Sequence, residues 1–351
     1  MLFDFSISAR NPDRDDAIWQ RINLKTKPPG ALGQLESLAA QLASLWHTDT
    51  PQVSAPHLFV YAGDHGVAAE GVSIAPSEVT AQMVANFAAG GAAINVFSRQ
   101  TGWTLQVVDA GILVKPAANA DVINARLGDI TQPIHKAPAL TEAQLAQAFT
   151  YAREHMASAH AAGANLVAFG EMGIGNTTPA AAIMSALLNL PATQTVGKGT
   201  GVSDDIILRK QAIVTQALEL HAEYLSQPLE VLRRLGGFEI AQICAAILAA
   251  AEKGMAVVID GFICSAAALI ATKLYPASRD YMIFAHCSGE QGHQQMLKEL
   301  DATPLLQLGM RLGEGTGAAL SLPLIEAACN FYNQMASFAD AAVTDVSGHA
   351  D

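Results

Sequence analysis

Apolar residues recur along this chain with two different periods, and the change of period divides it. Leu32, Leu35, Leu38, Leu42 and Leu45 return every three or four positions, on one face of a helix that follows the Lys27-Pro28-Pro29-Gly30 turn. From residue 57 the pattern shortens to compact apolar runs at 57–61, 104–108, 165–169, 256–259 and 281–285. Each leads into a loop bearing glycine or an acid, and then into a longer segment of helical periodicity. Strand-length apolar runs alternating with helices are what a parallel sheet covered on both faces requires, so the pattern predicts an α/β protein built from βαβ units.

The ends of several helices are also marked. Thr141-Glu142-Ala143-Gln144 is a capping box that opens a helix reaching toward Gly163, and Ser203-Asp204-Asp205 supplies a cap and first-turn acids for another. Lys253-Gly254 closes a third with a cation and then a glycine. Pro76-Ser77-Glu78 opens a helix on which Met83 and Phe87 share a face, either as core or as the wall of a site for a flat aromatic ligand. No internal repeat or linker stands out. The expected architecture is a doubly wound, mainly parallel, Rossmann-like sheet in residues 55–304, with a smaller helical lobe built from both chain ends, residues 1–54 and 305–351.

Composition narrows the class. At 351 residues, 51% hydrophobic and 15% charged, the chain can bury a large core and reads as an enzyme-like globule. Its net charge of −12, with no run of Lys and Arg, argues against a nucleic-acid partner and for small-molecule substrates. Cys244, Cys264, Cys287 and Cys329 are widely spaced in apolar surroundings, as buried thiols and not as disulfides or a zinc site. The start of the chain lacks the order of a secretory signal, and the most apolar stretch, 256–272, is broken by Asp260 and Gly261. A cytoplasmic protein without membrane spans is expected.

In an open parallel sheet, ligands bind beyond the carboxyl ends of the strands, so candidate chemistry is sought there. Those positions hold Gly63-Asp64-His65-Gly66, Asp109-Ala110-Gly111, Gly170-Glu171-Met172-Gly173-Ile174-Gly175-Asn176-Thr177-Thr178, Asp260-Gly261 and Ser288-Gly289-Glu290-Gln291-Gly292-His293. The 170–178 loop places glycines and then two hydroxyls where a helix begins, which suits a phosphate. A second glycine loop, Gly197-Lys198-Gly199-Thr200-Gly201, adds a cation, with Lys210 further on. Two such loops favour a phosphorylated substrate. Asp64-His65, Glu290-His293 and Asp260 invite a metal-site reading, and with it a metal-dependent phosphoester hydrolase using Asp64, His65, Asp260 and His293, although no fixed ligand spacing supports one. Asp260 can equally hold a ribose hydroxyl or cap a helix.

One further segment, Arg311-Leu312-Gly313-Glu314-Gly315-Thr316-Gly317, presents a lone carboxylate among three glycines. Either Glu314 occupies the first turn of a helix, where its charge suits the dipole, or the flexible backbone presents it to a ligand.

Taken together, Lys27-Pro28-Pro29-Gly30-Ala31-Leu32-Gly33, Ala62-Gly63-Asp64-His65-Gly66-Val67, the 170–178 loop, the 197–201 loop, Gly236-Gly237-Phe238-Glu239-Ile240, Asp260-Gly261-Phe262 and the 311–317 segment resemble the nicotinate-nucleotide:dimethylbenzimidazole phosphoribosyltransferase family. The resemblance implies transfer of 5-phosphoribose from nicotinate mononucleotide to 5,6-dimethylbenzimidazole, giving α-ribazole 5′-phosphate and nicotinate with inversion. It implies Glu314 as general base. It places Glu171, Gly173, Asn176, Thr177, Gly199, Gly201, Lys210, Asp260 and Ser288 around the phosphoribosyl part, and Ser77, Met83 and Leu312 in the base pocket. No metal or organic cofactor is required, and a homodimer is expected. A non-enzymatic nucleotide-binding module is the remaining alternative.

Overall fold

The computed structural model describes residues 4–115, 121–197 and 203–344. In chain order its elements are α1 (Asp15–Asn23), α2 (Gln34–Leu45), β1 (His57–Gly63), α3 (Glu78–Ala89), α4 (Ala93–Thr101), β2 (Thr104–Gly111), β3 (Val122–Asn124), α5 (Glu142–Ala161) and β4 (Leu166–Met172). There follow α6 (Thr177–Leu188), α7 (Ala192–Thr195), α8 (Asp204–Leu220), α9 (Pro228–Leu235), α10 (Phe238–Glu252) and β5 (Ala256–Ile259). The last are α11 (Phe262–Leu274), β6 (Met282–Phe284), α12 (His293–Glu299), α13 (Thr316–Gln334) and α14 (Phe338–Ala341).

The strands form one sheet in the order β3-β2-β1-β4-β5-β6, with parallel pairing throughout. The apolar runs lack alternation because both faces are covered. Phe59, Tyr61, Val167, Phe169, Val257 and Ile259 enter a core shared with α5, α6, α10 and α11. Leu58, Val60, Leu166, Ala168, Ala256 and Val258 enter a second core with α1, α2, α4 and α13. Helices from both ends of the sequence thus cover one face of the sheet, with α13 packed on α2 and α4.

Local signals act largely as expected. Thr141 Oγ1 accepts from Gln144 N–H at 3.2 Å while Gln144 Oε1 accepts from Thr141 N–H at 2.8 Å, closing the capping box of α5. α10 ends at Lys253 and Gly254, the latter left-handed at φ +74°. Ser203 stands at the cap of α8 but makes no capping bond with its side chain. β3 was not expected: three residues of mixed exposure at a sheet edge have no apolar run to mark them. Cys287 is only partly buried, unlike the other three cysteines. Among the described residues no helix is long and apolar enough to cross a membrane.

The strand order reverses between β1 and β4. A crevice beyond the carboxyl ends of the strands is expected at that reversal.

Candidate active site

β4 delivers Glu171 to that crevice, and the turn after it leads into the N-terminus of α6. Glu171 is 6% exposed, and its Oε2 accepts from the Asn176 side-chain amide. Burial pushes its carboxyl up to about 8; the Asn176 bond opposes the rise, and the charges of Glu239, Asp260 and Glu314 add to it. Lys210 reaches across from α8 and donates to Thr177 Oγ1 at 2.7 Å. Burial lowers the Lys210 pKa, with Glu290 pulling the other way. A helix N-terminus, a hydroxyl and a buried lysine amine thus meet at one part of the crevice, an arrangement able to accept an anion.

Glu314 is presented beside Glu171 by a loop packed against β4. Gly313, Glu314 and Gly315 are all left-handed, at φ +83°, +63° and +84°. Glycine takes this conformation freely at two of the three positions, whereas at Glu314 it costs about 1–2 kcal/mol. The surroundings hold it there. Glu314 N–H donates to the Glu171 carbonyl at 3.2 Å, and both Thr316 N–H and Thr316 Oγ1 bond the Gly313 carbonyl. The loop lies so close to β4 that a Cβ on Gly170 would run into the backbone of Glu314 and Gly315. Glu314 therefore precedes α13 and is not part of its first turn.

The Glu314 side chain, 4% exposed, points Oε2 at Ile94 N–H, 3.4 Å away in the first turn of α4. Burial raises its pKa, the Ile94 bond lowers it, and the negative charge of Asp260 raises it further. The result is a carboxylate with heightened proton affinity that is still held by a helix N-terminus.

Beside these groups lies a cavity of about 290 Å³. Met83, Glu171, Gly173, Asn176, Thr177, Lys210, Asp260, Ser288, Leu312 and Glu314 all line it. Leu312 is 54% exposed, so Glu314 is shielded by β4 and α4 and not by Leu312. Phe87 turns into the core, leaving Met83 alone on the cavity wall. Ser77 caps α3 and is not among the lining residues, where Val72 and Ser73 stand instead. Gly199 and Gly201, with Lys198, lie outside the described residues.

His286, Glu290, Cys264 and Arg311 also line the cavity. Glu290 belongs to the metal reading, and the other three have no role in the site assigned from sequence. His286 follows the apolar run at 281–285, so the strand-end rule used for the other loops points to it as well. Arg311 lay inside the quoted glycine motif, and Glu290 inside the 288–293 loop.

The residues of the metal reading do not converge. Asp64 accepts from Thr80 Oγ1 at 2.6 Å and from Leu113 N–H at 2.8 Å. His65 Nε2 sits 2.6 Å from Glu239 Oε1. Ser288 N–H donates to His293 Nδ1 at 2.8 Å, which leaves the ring proton on Nε2 to donate to Ser265 Oγ at 2.9 Å. Burial pushes His293 down to about 3, so its ring is neutral. Among the described residues no group of three or more His, Cys, Asp or Glu side chains is placed to hold a metal ion.

A family model described as phosphoribosyltransferase matches residues 7–343. A nicotinate-nucleotide–dimethylbenzimidazole phosphoribosyltransferase of Pseudoalteromonas translucida is 57% identical, over 97% of this chain and 99% of the relative. The protein of the same name from Photobacterium profundum is 54% identical, over 97% and 99%. A crystal structure of the enzyme so named from Thermus thermophilus superposes with a TM-score of 0.90 at 40% identity, over 95% of this chain and 99% of that one. The chain belongs to the nicotinate-nucleotide–dimethylbenzimidazole phosphoribosyltransferase family.

Proposed function

We propose that this protein transfers 5-phosphoribose from nicotinate mononucleotide to 5,6-dimethylbenzimidazole, releasing nicotinate and forming α-ribazole 5′-phosphate, with Glu314 as the general base. The unprotonated ring nitrogen of the benzimidazole attacks the anomeric carbon. The bond from that carbon to the pyridinium nitrogen breaks, and its electron pair leaves nicotinate neutral at nitrogen. Attack would make the new ring cationic; the proton on its opposite nitrogen passes to the Glu314 carboxylate. One base is enough because the leaving group needs no acid, unlike the paired carboxylates of glycosidases.

The observation that carries this reading is the placement of Glu314: one buried carboxylate, in a left-handed backbone conformation, lining the same cavity as the Thr177–Lys210 pair. Lys210, Thr177, Gly173, Asn176 and Ser288, with Gly199 and Gly201 of the second glycine loop, hold the phosphoribosyl group. Glu171 faces its ribose and anomeric carbon. Met83 and Leu312 bound the base, and Ser77 stands outside the cavity lining. Fixing both substrates in line supplies on the order of 7–11 kcal/mol of the barrier reduction. Residues 1–54 and 305–351 act as the lobe that carries Glu314 to the site, in a cytoplasmic homodimer.

The test is direct. Purified protein given both substrates releases nicotinate and forms the ribazole phosphate, while Glu314→Gln binds both and loses roughly 10²–10⁴-fold in kcat. Binding of the mononucleotide without nicotinate release on addition of the base would support a binding module instead.

A further inference from the structure

α13 has a glycine, Gly315, at its cap, so no side chain of its own accepts the free N–H groups of its first turn. Asp260, arriving from the end of β5, takes that place. Its Oδ1 accepts from Ala318 N–H at 2.9 Å, and the backbone N–H groups of Gly317 and Gly315 also bond the carboxylate. His286, at the end of β6, stands 3.7 Å from the same oxygen. Its ring also occupies the space that a Cβ on Gly317 would need. Asp260 is 2% exposed and His286 3%.

We propose that Asp260, backed by His286, is a positioning residue: it anchors the first turn of α13 and thereby fixes the left-handed 313–315 loop so that Glu314 faces the base. The family resemblance puts Asp260 beside the phosphoribosyl group, but its bonds run to the helix. A carboxylate suits this task better than an amide, because its charge complements the helix N-terminus as well as accepting hydrogen bonds. Only three residues separate Ala318 from Glu314, so a slip of the turn moves the base directly. Misplacement by 1 Å at a reacting centre costs roughly 10²-fold in rate.

The proposal rests on Glu314 as the base, and its test separates the two. Asp260→Asn keeps an oxygen acceptor and loses the charge; Asp260→Ala loses both. Steady-state kinetics with the mononucleotide varied should show kcat falling about tenfold in the first and about 10²-fold in the second, with KM for the mononucleotide changed by no more than about twofold. Amide hydrogen exchange over residues 315–318 should quicken in both. A tenfold or larger rise in that KM with kcat retained would make Asp260 a ribose ligand and overturn the proposal, as would unchanged exchange at those amides. Should Asp260→Ala fail to fold, Asp260→Asn alone decides by the same criteria. Separately, a Glu314→Gln enzyme with wild-type kcat would remove the base reading, leaving the exchange result to judge the anchor.

Discussion

At the scale of single residues, the site separates two carboxyls that the sequence presents as similar acids beside glycines. Glu314 is raised by burial yet kept near an N–H donor, so its affinity for a proton exceeds that of an ordinary glutamate. The log of kcat/KM should therefore fall on the acid side, with a midpoint above the ordinary glutamate value of 4.5. A rate that stays flat down to that value would contradict the assignment. Glu171 behaves differently, because burial without an opposing cation holds it protonated up to about 8. Its folded pKa lies above its unfolded one, so its contribution to stability is fully present below the unfolded pKa and fades as pH rises through the folded one. Glu171→Gln lacks that titration, and its melting temperature relative to wild type should climb by a few degrees between about pH 5 and about pH 9. An offset that does not change with pH would show that Glu171 is ionised throughout.

At the scale of elements, the close approach of the 313–315 loop to β4 sets the geometry. Gly170→Ala would drive a methyl group into the backbone of Glu314 and Gly315, neither of which can rotate away as a side chain would. Roughly 10²-fold loss of kcat with unchanged far-UV circular dichroism is expected; activity near wild type would mean that the loop has room to move. Thr141→Ala serves as the control: loss of the α5 capping box should cost about 1 kcal/mol of stability in denaturant unfolding and leave kcat alone. The same contrast shows what the sequence made legible. Capping boxes, glycine stops and apolar runs are local signals, and they predicted α5, the end of α10 and the five strands with marked runs. The contact between Gly170 and Glu314 joins residues far apart in the chain, and β3 is held by its pairing with β2 and not by its own composition. Neither leaves a local pattern. The left-handed conformation of Glu314 is likewise fixed by its surroundings, which is why the sequence alone allows it a place in the first turn of α13.

At the scale of the whole molecule, one sheet with both faces covered brings distant loops to one crevice, and the strand-end rule therefore locates about half of the residues that line it. It gives places and not partners: the closeness of His286 to Asp260 and the bond of Asp260 to α13 leave no local pattern in the sequence. Phe87 shows the reverse limit, since sharing a helix face with Met83 does not say which of the two side chains reaches the cavity. Assembly adds a further expectation. Sedimentation equilibrium should give the mass of two chains, and a mass of one chain, 36.7 kDa, would sink the dimer. The central claim is tested most directly by comparing wild type with Glu314→Gln in one assay, nicotinate mononucleotide plus 5,6-dimethylbenzimidazole, with nicotinate release followed by chromatography and substrate binding by calorimetry. Retained binding of both substrates with a kcat lower by at least about 10²-fold is expected of the variant; a variant that binds both and turns over at the wild-type rate would rule out Glu314 as the general base.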